Sequence, residues 1–389
     1  MAYFRMYGSN IIVPQTKTMT VILDLNNPDP TTWATYADDA VGMTAGSAAW
    51  DTFFGHYPCI LDNGVELGKL KRSNFAQYED GTSAPITTLG KDVMICFPRR
   101  GIKIEYTDSS HLSVSMTDEE GKSGYSYMGH SYNGNTCDKF YLGAYRGYGT
   151  SSSLYSLSGK IPTTSQTINT FRSWARARGT GYEQSAFYQL TFRQVMYLLK
   201  YKGQNAQNVI GTGYAFGSSS GLINTGYTNA NGMDWGETTG NYPVKLFGLE
   251  DFYGSANEFI DGIIVISSSR KMKVADGNYS NTDYYTEIMS TAGYSKNPIQ
   301  AGYLKRPIGS NIAGFLSVST NYGSDSTYFC DYSQTYAFSN ESSYNDVVCV
   351  YGGIWGGAAA SGPFRINLSD PSTYQKNSNS SRLMYMHVA

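Results

Sequence analysis

The distribution of apolar and polar residues along the chain predicts a protein built mostly from short strands. TVILDL near the N-terminus is followed by DVMICF, GIKIEY and HLSVSM, which alternate with the period of two that is typical of strands. Because only short turn sequences separate the last three runs, we predict that they form a β-meander. After Gly203 the runs PVKLFGLEDF, EFIDGIIVI, AGFLSVS, DVVCVYGG and SRLMYMHV predict further strands, joined by long polar loops.

Two segments instead carry the helical period of 3.6 residues. The first predicted helix begins at Ile168, with Ser165 or Thr167 as its N-cap, and ends at Gly179. The second covers 191–203 and begins with a Thr-x-x-Gln capping-box pattern. Each helix has a single apolar stripe, so we expect each one to pack on a sheet.

These elements predict an α+β fold of irregular antiparallel sheets with two helices and long loops. The length of 389 residues suggests about two domains. We place a small β-rich segment for attachment or oligomerisation at residues 1–84, and a ligand-binding domain at 85–389. Long loops on a compact scaffold usually carry binding residues.

Composition narrows the classes of partner. Only 15% of the residues are charged and the net charge is −2, so no basic field is available for nucleic acid or an anionic membrane. The N-terminus lacks the features of a signal peptide, and no apolar run has the length of a membrane span. The 34 tyrosines and 42 glycines, beside many Ser, Asn and Thr residues, suit an adaptable binding surface, but they also suit ordinary β-rich extracellular proteins.

The cysteines predict neither a metal site nor a disulfide framework. They are odd in number, widely spaced and without a CxxC pair, so buried free thiols are expected at Cys59, Cys96, Cys137, Cys330 and Cys349. The four histidines lie in unlike contexts and indicate no catalytic group. We therefore expect no cofactor.

Three stretches resemble the C-type lectin fold shared by formylglycine-generating enzymes and the variable proteins of diversity-generating retroelements. They are GLEDFYGSANEFIDGI at 248–263, the helix pair at 167–203, and a C-terminal block with GGIW at 352–355, SGPF at 361–364 and SRL at 381–383. The resemblance covers residues 85–389. DDAVGMTAGSAAWDTFFGHYPC and GMDWGETTG are similar to blocks in phage and prophage members of this group from gut bacteria.

The resemblance implies a tail-tip or tail-fibre protein of a phage that recognises a bacterial surface receptor, either a protein or a glycan. It further implies other tail proteins and a homotrimer as partners, and a place on the virion, or in the host cytoplasm if a prophage encodes the chain. A purely structural role in the baseplate is an alternative that the sequence leaves open.

In variable relatives the diversified positions lie in the C-terminal block, between residues that hold the fold. Glycine pairs let the backbone approach a neighbour closely and a tryptophan can fix a loop in the core, so the side chains between them are free to face solvent. The resemblance implies structural anchors at Gly352, Gly353, Trp355, Gly362, Phe364 and Arg382. It implies ligand-binding positions at Ile354, Gly356, Gly357, Ala359, Ala360, Arg365, Asn367, Ser369, Asp370 and Tyr374.

The enzymatic alternatives have less support. In the formylglycine-generating enzymes reactive cysteines follow the tryptophan by two and seven residues, where this chain has Gly357 and Gly362. The carboxylates in 250–261, at Glu250, Asp251, Glu258 and Asp261, could belong to a metal-dependent lectin or a carbohydrate-active enzyme. The alternative is that they cap loops and accept backbone hydrogen bonds. Trp235 is either a carbohydrate contact or a side chain packed under its loop.

Overall fold

The computed structural model describes residues 15–217, 221–266, 271–280, 285–290, 302–316, 322–323, 332–335 and 346–388. Within these ranges the helices are α1 (Ala49–Phe54), α2 (Ile168–Arg176), α3 (Phe187–Tyr201) and α4 (Ala206–Val209). The strands are β1 (Thr18–Asp24), β2 (Ala34–Asp38), β3 (Tyr57–Asp62), β4 (Val65–Lys71), β5 (Asn74–Tyr78), β6 (Asp92–Pro98), β7 (Gly101–Tyr106), β8 (His111–Thr117), β9 (Ser131–Tyr132), β10 (Asn135–Gly143), β11 (Tyr148–Gly149), β12 (Leu154–Tyr155), β13 (Tyr182–Gln184), β14 (Lys245–Leu246), β15 (Leu249–Glu250), β16 (Asn257–Ile266), β17 (Lys271–Val274), β18 (Thr286–Ser290), β19 (Gly302–Leu304), β20 (Tyr322–Gly323), β21 (Tyr332–Thr335), β22 (Val347–Tyr351), β23 (Ile366–Pro371), β24 (Asn379–Ser380) and β25 (Leu383–Val388).

Most of these strands belong to three sheets. Sheet A has the order β2-β1-β8-β7. Sheet B has the order β13-β25-β10-β6-β3-β4-β5, with β9 paired to β10. Sheet C has the order β18-β17-β16-β22-β23-β21-β19-β20, with β24 paired to β16. Apart from β16 with β24 and β21 with β23, the pairs are antiparallel, and the chain is a β-rich α+β protein, as its sequence predicted.

The strands of the predicted meander exist, but they do not form one. β6 pairs with β3 and β10 in sheet B, whereas β7 and β8 form a hairpin in sheet A whose other neighbour is β1. The predicted boundary after residue 84 also does not separate two folded units, because β1 and β3 pair with strands beyond it. One large hydrophobic cluster includes side chains from Met19 in β1 to Met386 in β25.

Helix α2 confirms the first helix prediction. The Thr167 hydroxyl accepts a hydrogen bond from the backbone N–H of Thr170 at 3.1 Å, as an N-cap does. Its buried residues, among them Ile168 and Phe171, form one face.

Helix α3 differs from its prediction in two ways. It begins at Phe187 rather than Thr191, so Thr191 and Gln194 lie inside the helix and form no cap. It is also buried from Phe187 to Lys200, because it packs between β1 and β8 of sheet A and β16 of sheet C. A helix enclosed by two sheets does not need the single apolar stripe that the sequence suggested. No helix in the described ranges combines the length and apolar character needed to cross a membrane.

Candidate functional site

The C-terminal block begins where β22 ends in a sharp turn at two glycines. Gly352 and Gly353 have φ angles of +91° and +101°, in the left-handed region that glycine adopts without strain. A Cβ at Gly353 would lie 2.3 Å from the Ser361 Oγ. The N–H of Gly362 donates to the Gly352 carbonyl at 3.2 Å, which closes the intervening residues into a loop.

Neighbouring segments hold this loop, residues 353–361, through its backbone. The N–H of Trp355 donates to the carbonyl of Ser255, and that of Ala358 to the carbonyl of Ala215, both at 2.9 Å. The Gln207 side-chain amide donates to the carbonyls of Ala358 and Ser361 at 2.9 and 2.8 Å. These contacts use main-chain atoms of the loop, so they do not depend on which side chains the loop carries.

Several of the predicted binding positions lie at the surface. Gly356 and Ala359 are exposed, and Ile354 and Ala360 are half-buried. A Cβ at Gly356 would meet nothing within 4 Å. Tyr374, in the turn after β23, is 46% exposed. We call the loop positions Ile354, Gly356, Ala359 and Ala360 the C-terminal face. Tyr374 follows Pro371, at the other end of the β22–β23 pair.

Other predicted binding positions do not face solvent, and that expectation was wrong for them. Arg365 and Asn367 are 7% exposed and Asp370 is 1% exposed. They lie on or beside β23, which is an interior strand between β22 and β21, so it has little surface to offer. Asp370 accepts hydrogen bonds from Lys376 and Asn379. Ser369 on the same strand is half-buried.

Gly357 also has a structural reason to be glycine. A Cβ there would lie 2.5 Å from the Ser361 Oγ and 3.0 Å from the Ile354 carbonyl oxygen. A larger residue would therefore push against the turn that closes the loop. Unlike Gly356, Gly357 cannot change freely.

Trp355 does not fix the loop in the core as expected. It is half-buried, and its backbone N–H donates a hydrogen bond to the carbonyl of Ser255. The aromatic side chain at the centre is Phe364, which is 1% exposed and whose ring lies 5.9 Å from that of Tyr197 and 5.3 Å from that of Phe315.

The carboxylate of Glu258 is enclosed by three arginines. Arg382 and Arg193 donate to it at 3.0 and 3.1 Å, Arg146 forms a third ion pair, and all four side chains are fully buried. Burial acts to raise the pKa of Glu258, but the three guanidinium groups outweigh it and hold the pKa below its ordinary value. Burial lowers the pKa of Arg382 to about 10. This cluster connects the helix α3, the strand β16 and the residue before β25.

Two further carboxylates of 250–261 also have partners: Asp261 is paired with an arginine, and Glu250 accepts backbone N–H groups. Arg172 donates to Asp261 through Nε and Nη2 at 2.7 Å each. Glu250 accepts the N–H groups of Gly226 and Thr228 at 2.6 and 2.7 Å. Burial, together with the neighbouring Glu250, raises the pKa of Asp251 to about 7. These side chains are at most 2% exposed and hold loops together, which leaves no open carboxylate pair for a sugar or a calcium ion.

The four thiols that the structure describes have no reactive setting. Cys59, Cys96, Cys137 and Cys349 are buried and free, and Cys330 lies outside the described residues. Burial raises the pKa of the Cys96 thiol to about 11, so it is protonated near neutral pH. Among the residues that the structure describes, no group of three or more His, Cys, Asp and Glu side chains is arranged to hold a metal ion.

An aromatic row beside the C-terminal face was only partly foreseen. Trp235 is half-buried and lies next to Tyr227, which stacks on Tyr242. The sequence drew attention to Trp235 through its glycine-rich loop, but the tyrosines stand eight and seven residues away on other segments. No local pattern connects such positions.

Comparisons with known proteins give similarities to solved structures alone. No protein-family model matches the chain, and no curated protein matches it significantly. Among solved structures it is similar to a "Major Tropism Determinant U1 Variant", with 9% sequence identity over 89% of this chain and 74% of that chain, and a TM-score of 0.29. A TM-score this low carries no argument about function.

Proposed function

We propose that this chain is a receptor-binding protein of a phage tail, with a C-type lectin-like fold, that recognises a bacterial surface molecule through its C-terminal face. The observation that carries the proposal is the way the 353–361 loop is held. Its main chain is hydrogen-bonded to Ser255, Ala215 and Gln207, while Gly356 and Ala359 are exposed at the surface. The resemblance of the C-terminal block to variable proteins supports the same conclusion.

A loop held by its backbone is suited to recognition for two reasons. Its conformation is already fixed before a partner arrives, which lowers the entropy cost of binding. Its exposed residues can also change without loss of stability, as the open space around Gly356 illustrates. Such a surface can acquire specificity for a new receptor while the fold stays the same.

The affinity of one copy should be modest. Binding energy is usually concentrated in a few large side chains, and the best candidate among the exposed predicted positions is Tyr374, because Gly356 and Ala359 are small. A homotrimer carried in several copies on the virion would raise the avidity by roughly 10²- to 10⁴-fold. Both the trimer and the attachment to other tail proteins belong to the proposal.

The proposed role is binding rather than catalysis. The carboxylates that an enzyme or a metal-dependent lectin would need are buried against arginines and backbone N–H groups. The four thiols that the structure describes are buried as well. None of them stands at a position that matches a reactive cysteine of the formylglycine-generating enzymes.

The experiment measures the binding of labelled protein to a panel of intact gut-bacterial strains. We expect Ala359→Glu and Tyr374→Ala each to reduce the bound protein at least about tenfold on strains that the unaltered protein binds. A tenfold loss corresponds to about 1.4 kcal/mol of binding free energy. Leu89→Glu is the matched control, because Leu89 is 56% exposed and lies outside the face. If both variants keep their circular dichroism spectra and bind as before, neither the C-terminal face nor Tyr374 belongs to the receptor site.

A further inference from the structure

Three aromatic side chains form a row on the surface, on segments separate from the 353–361 loop. The rings of Tyr227 and Tyr242 stack with centroids 4.9 Å apart and planes 26° from parallel. The ring of Trp235 lies beside that of Tyr227, with centroids 5.9 Å apart and planes tilted by 47°. Tyr227 is 49% exposed and Tyr242 39% exposed. Exposed aromatic rings at this density are unusual, because burying them would release free energy.

The row is held in place by buried polar groups. The Glu250 carboxylate accepts the N–H groups of Gly226 and Thr228, the residues on either side of Tyr227. The Lys245 ammonium donates to the Thr228 carbonyl at 3.0 Å. The backbone of Lys245 also exchanges two hydrogen bonds with that of Trp235. Two fully buried ionisable side chains therefore fix the segments that carry the rings.

The surroundings of the row are polar and mostly neutral. Thr238, Thr239 and Asn241 are exposed beside Tyr242. The Glu237 carboxylate lies near the Tyr227 hydroxyl, and it already accepts hydrogen bonds from the N–H and hydroxyl of Thr239. Short hydroxyl and amide side chains around flat rings offer hydrogen bonds in several directions next to an apolar platform.

We infer that the aromatic row binds a neutral pyranose saccharide. The C–H groups on one face of a pyranose carry partial positive charge and rest on the electron-rich face or edge of an aromatic ring, while the hydroxyls at its rim reach neighbouring polar groups. A nucleic acid would bring phosphates to Glu237 without a cationic groove to hold them. An acidic sugar would meet the same carboxylate.

This site has a different chemical basis from the C-terminal face but lies close to it. The Phe216 N–H donates to the Gly240 carbonyl, and the preceding Ala215 carbonyl accepts the N–H of Ala358 in the 353–361 loop. Residues 215–216 thus lie between the two surfaces, and Phe216 is itself 50% exposed. The inference does not rest on the proposed receptor site, since its evidence is the aromatic row alone.

The test is affinity electrophoresis of the purified protein through gels that contain dextran, laminarin, mannan, a galactan or, as an acidic probe, hyaluronate. At least one neutral polysaccharide should slow the protein, and hyaluronate should not. Tyr227→Ala and Tyr242→Ala should each weaken the interaction about tenfold. Tyr227→Phe, which keeps the ring, should retain most of the binding. Ile161→Ala, an exposed apolar control at 51%, should change nothing.

The outcomes separate this inference from the receptor proposal. If no neutral polysaccharide slows the protein, or if both alanine variants migrate like the unaltered protein while keeping their fold, the saccharide site is wrong. Ala359→Glu should leave the retardation of the protein by the polysaccharide unchanged, whereas it should reduce binding to cells at least about tenfold. Loss of cell binding in Ala359→Glu, without any polysaccharide binding, would leave the receptor proposal standing and remove this one.

Discussion

At the scale of single residues, the C-terminal block shows that neighbouring glycines can have opposite roles. Gly353 has a positive φ and Ser361 directly beside it, whereas Gly356 has no neighbour where a side chain would go. The sequence identified the block as a loop held by glycines. It could not tell which glycines are required, because that depends on residues that lie opposite in space.

This difference predicts the effect of two matched substitutions. Gly353→Ala should lower the free energy of unfolding by about 1–3 kcal/mol, because alanine is strained at this φ and its Cβ meets Ser361. Gly356→Ala should change it by no more than about 0.5 kcal/mol. Urea denaturation followed by fluorescence measures both. Equal effects of the two substitutions would contradict the described loop.

The exposure of the proposed binding positions was predicted with mixed success for the same reason. The expected exposure was right for Gly356, Ala359 and Tyr374 but wrong for Arg365 and Asp370. The polar residues after Phe364 read as a loop, yet they form an interior strand of sheet C. The sequence of a buried polar strand resembles that of a loop, because the hydrogen-bond partners that make it a strand lie elsewhere in the chain.

At the scale of elements, helix ends were predictable where the signal is local. Thr167 caps α2 as expected, because a cap concerns only residues four or fewer apart. The start of α3 was placed four residues late, since its Thr-x-x-Gln pattern resembles a capping box but lies inside a fully buried helix. The sequence also could not predict that β6 and β7 belong to different sheets. The partners of β6 are β3 and β10, and β7 pairs with β8, whose other partner is β1, so strands distant in the chain decide the sheet.

The cap of α2 provides a test at this scale. Thr167→Ala should lower the free energy of unfolding by about 1 kcal/mol, since the N–H of Thr170 loses its partner. Thr167→Ser keeps the hydroxyl and should cost much less. Thermal or urea unfolding distinguishes them. If serine and alanine destabilise the protein equally, the hydroxyl does not act as a cap.

At the scale of the whole molecule, the Glu258 cluster connects distant parts of the chain. Its arginines, Arg146, Arg193 and Arg382, come from three separate segments and meet at one buried carboxylate. The sequence showed the carboxylate-rich stretch and offered a loop-holding role for it. It did not show which arginines pair with Glu258, because no sequence pattern connects residues that lie so far apart in the chain.

Removing the charge of Glu258 should therefore weaken the entire fold. We expect Glu258→Gln to lower the free energy of unfolding by about 3–5 kcal/mol, because three buried guanidinium groups lose their shared counter-charge. Glu120→Gln is the control, since the Glu120 side chain is 79% exposed in its ion pair with Arg99 and should cost less than about 1 kcal/mol. Comparable losses in both variants, measured by urea denaturation, would contradict this role.

The position of β25 has a consequence for how new versions of this protein could arise. β25 lies inside sheet B, between β13 and β10, and it follows the C-terminal face in the chain. A stop codon or frameshift within the codons of that face would delete the strand, leave two unpaired strand edges in sheet B and remove Arg382 from the Glu258 carboxylate. Chains truncated in this way would therefore fail to fold, so only intact reading frames could carry a changed face.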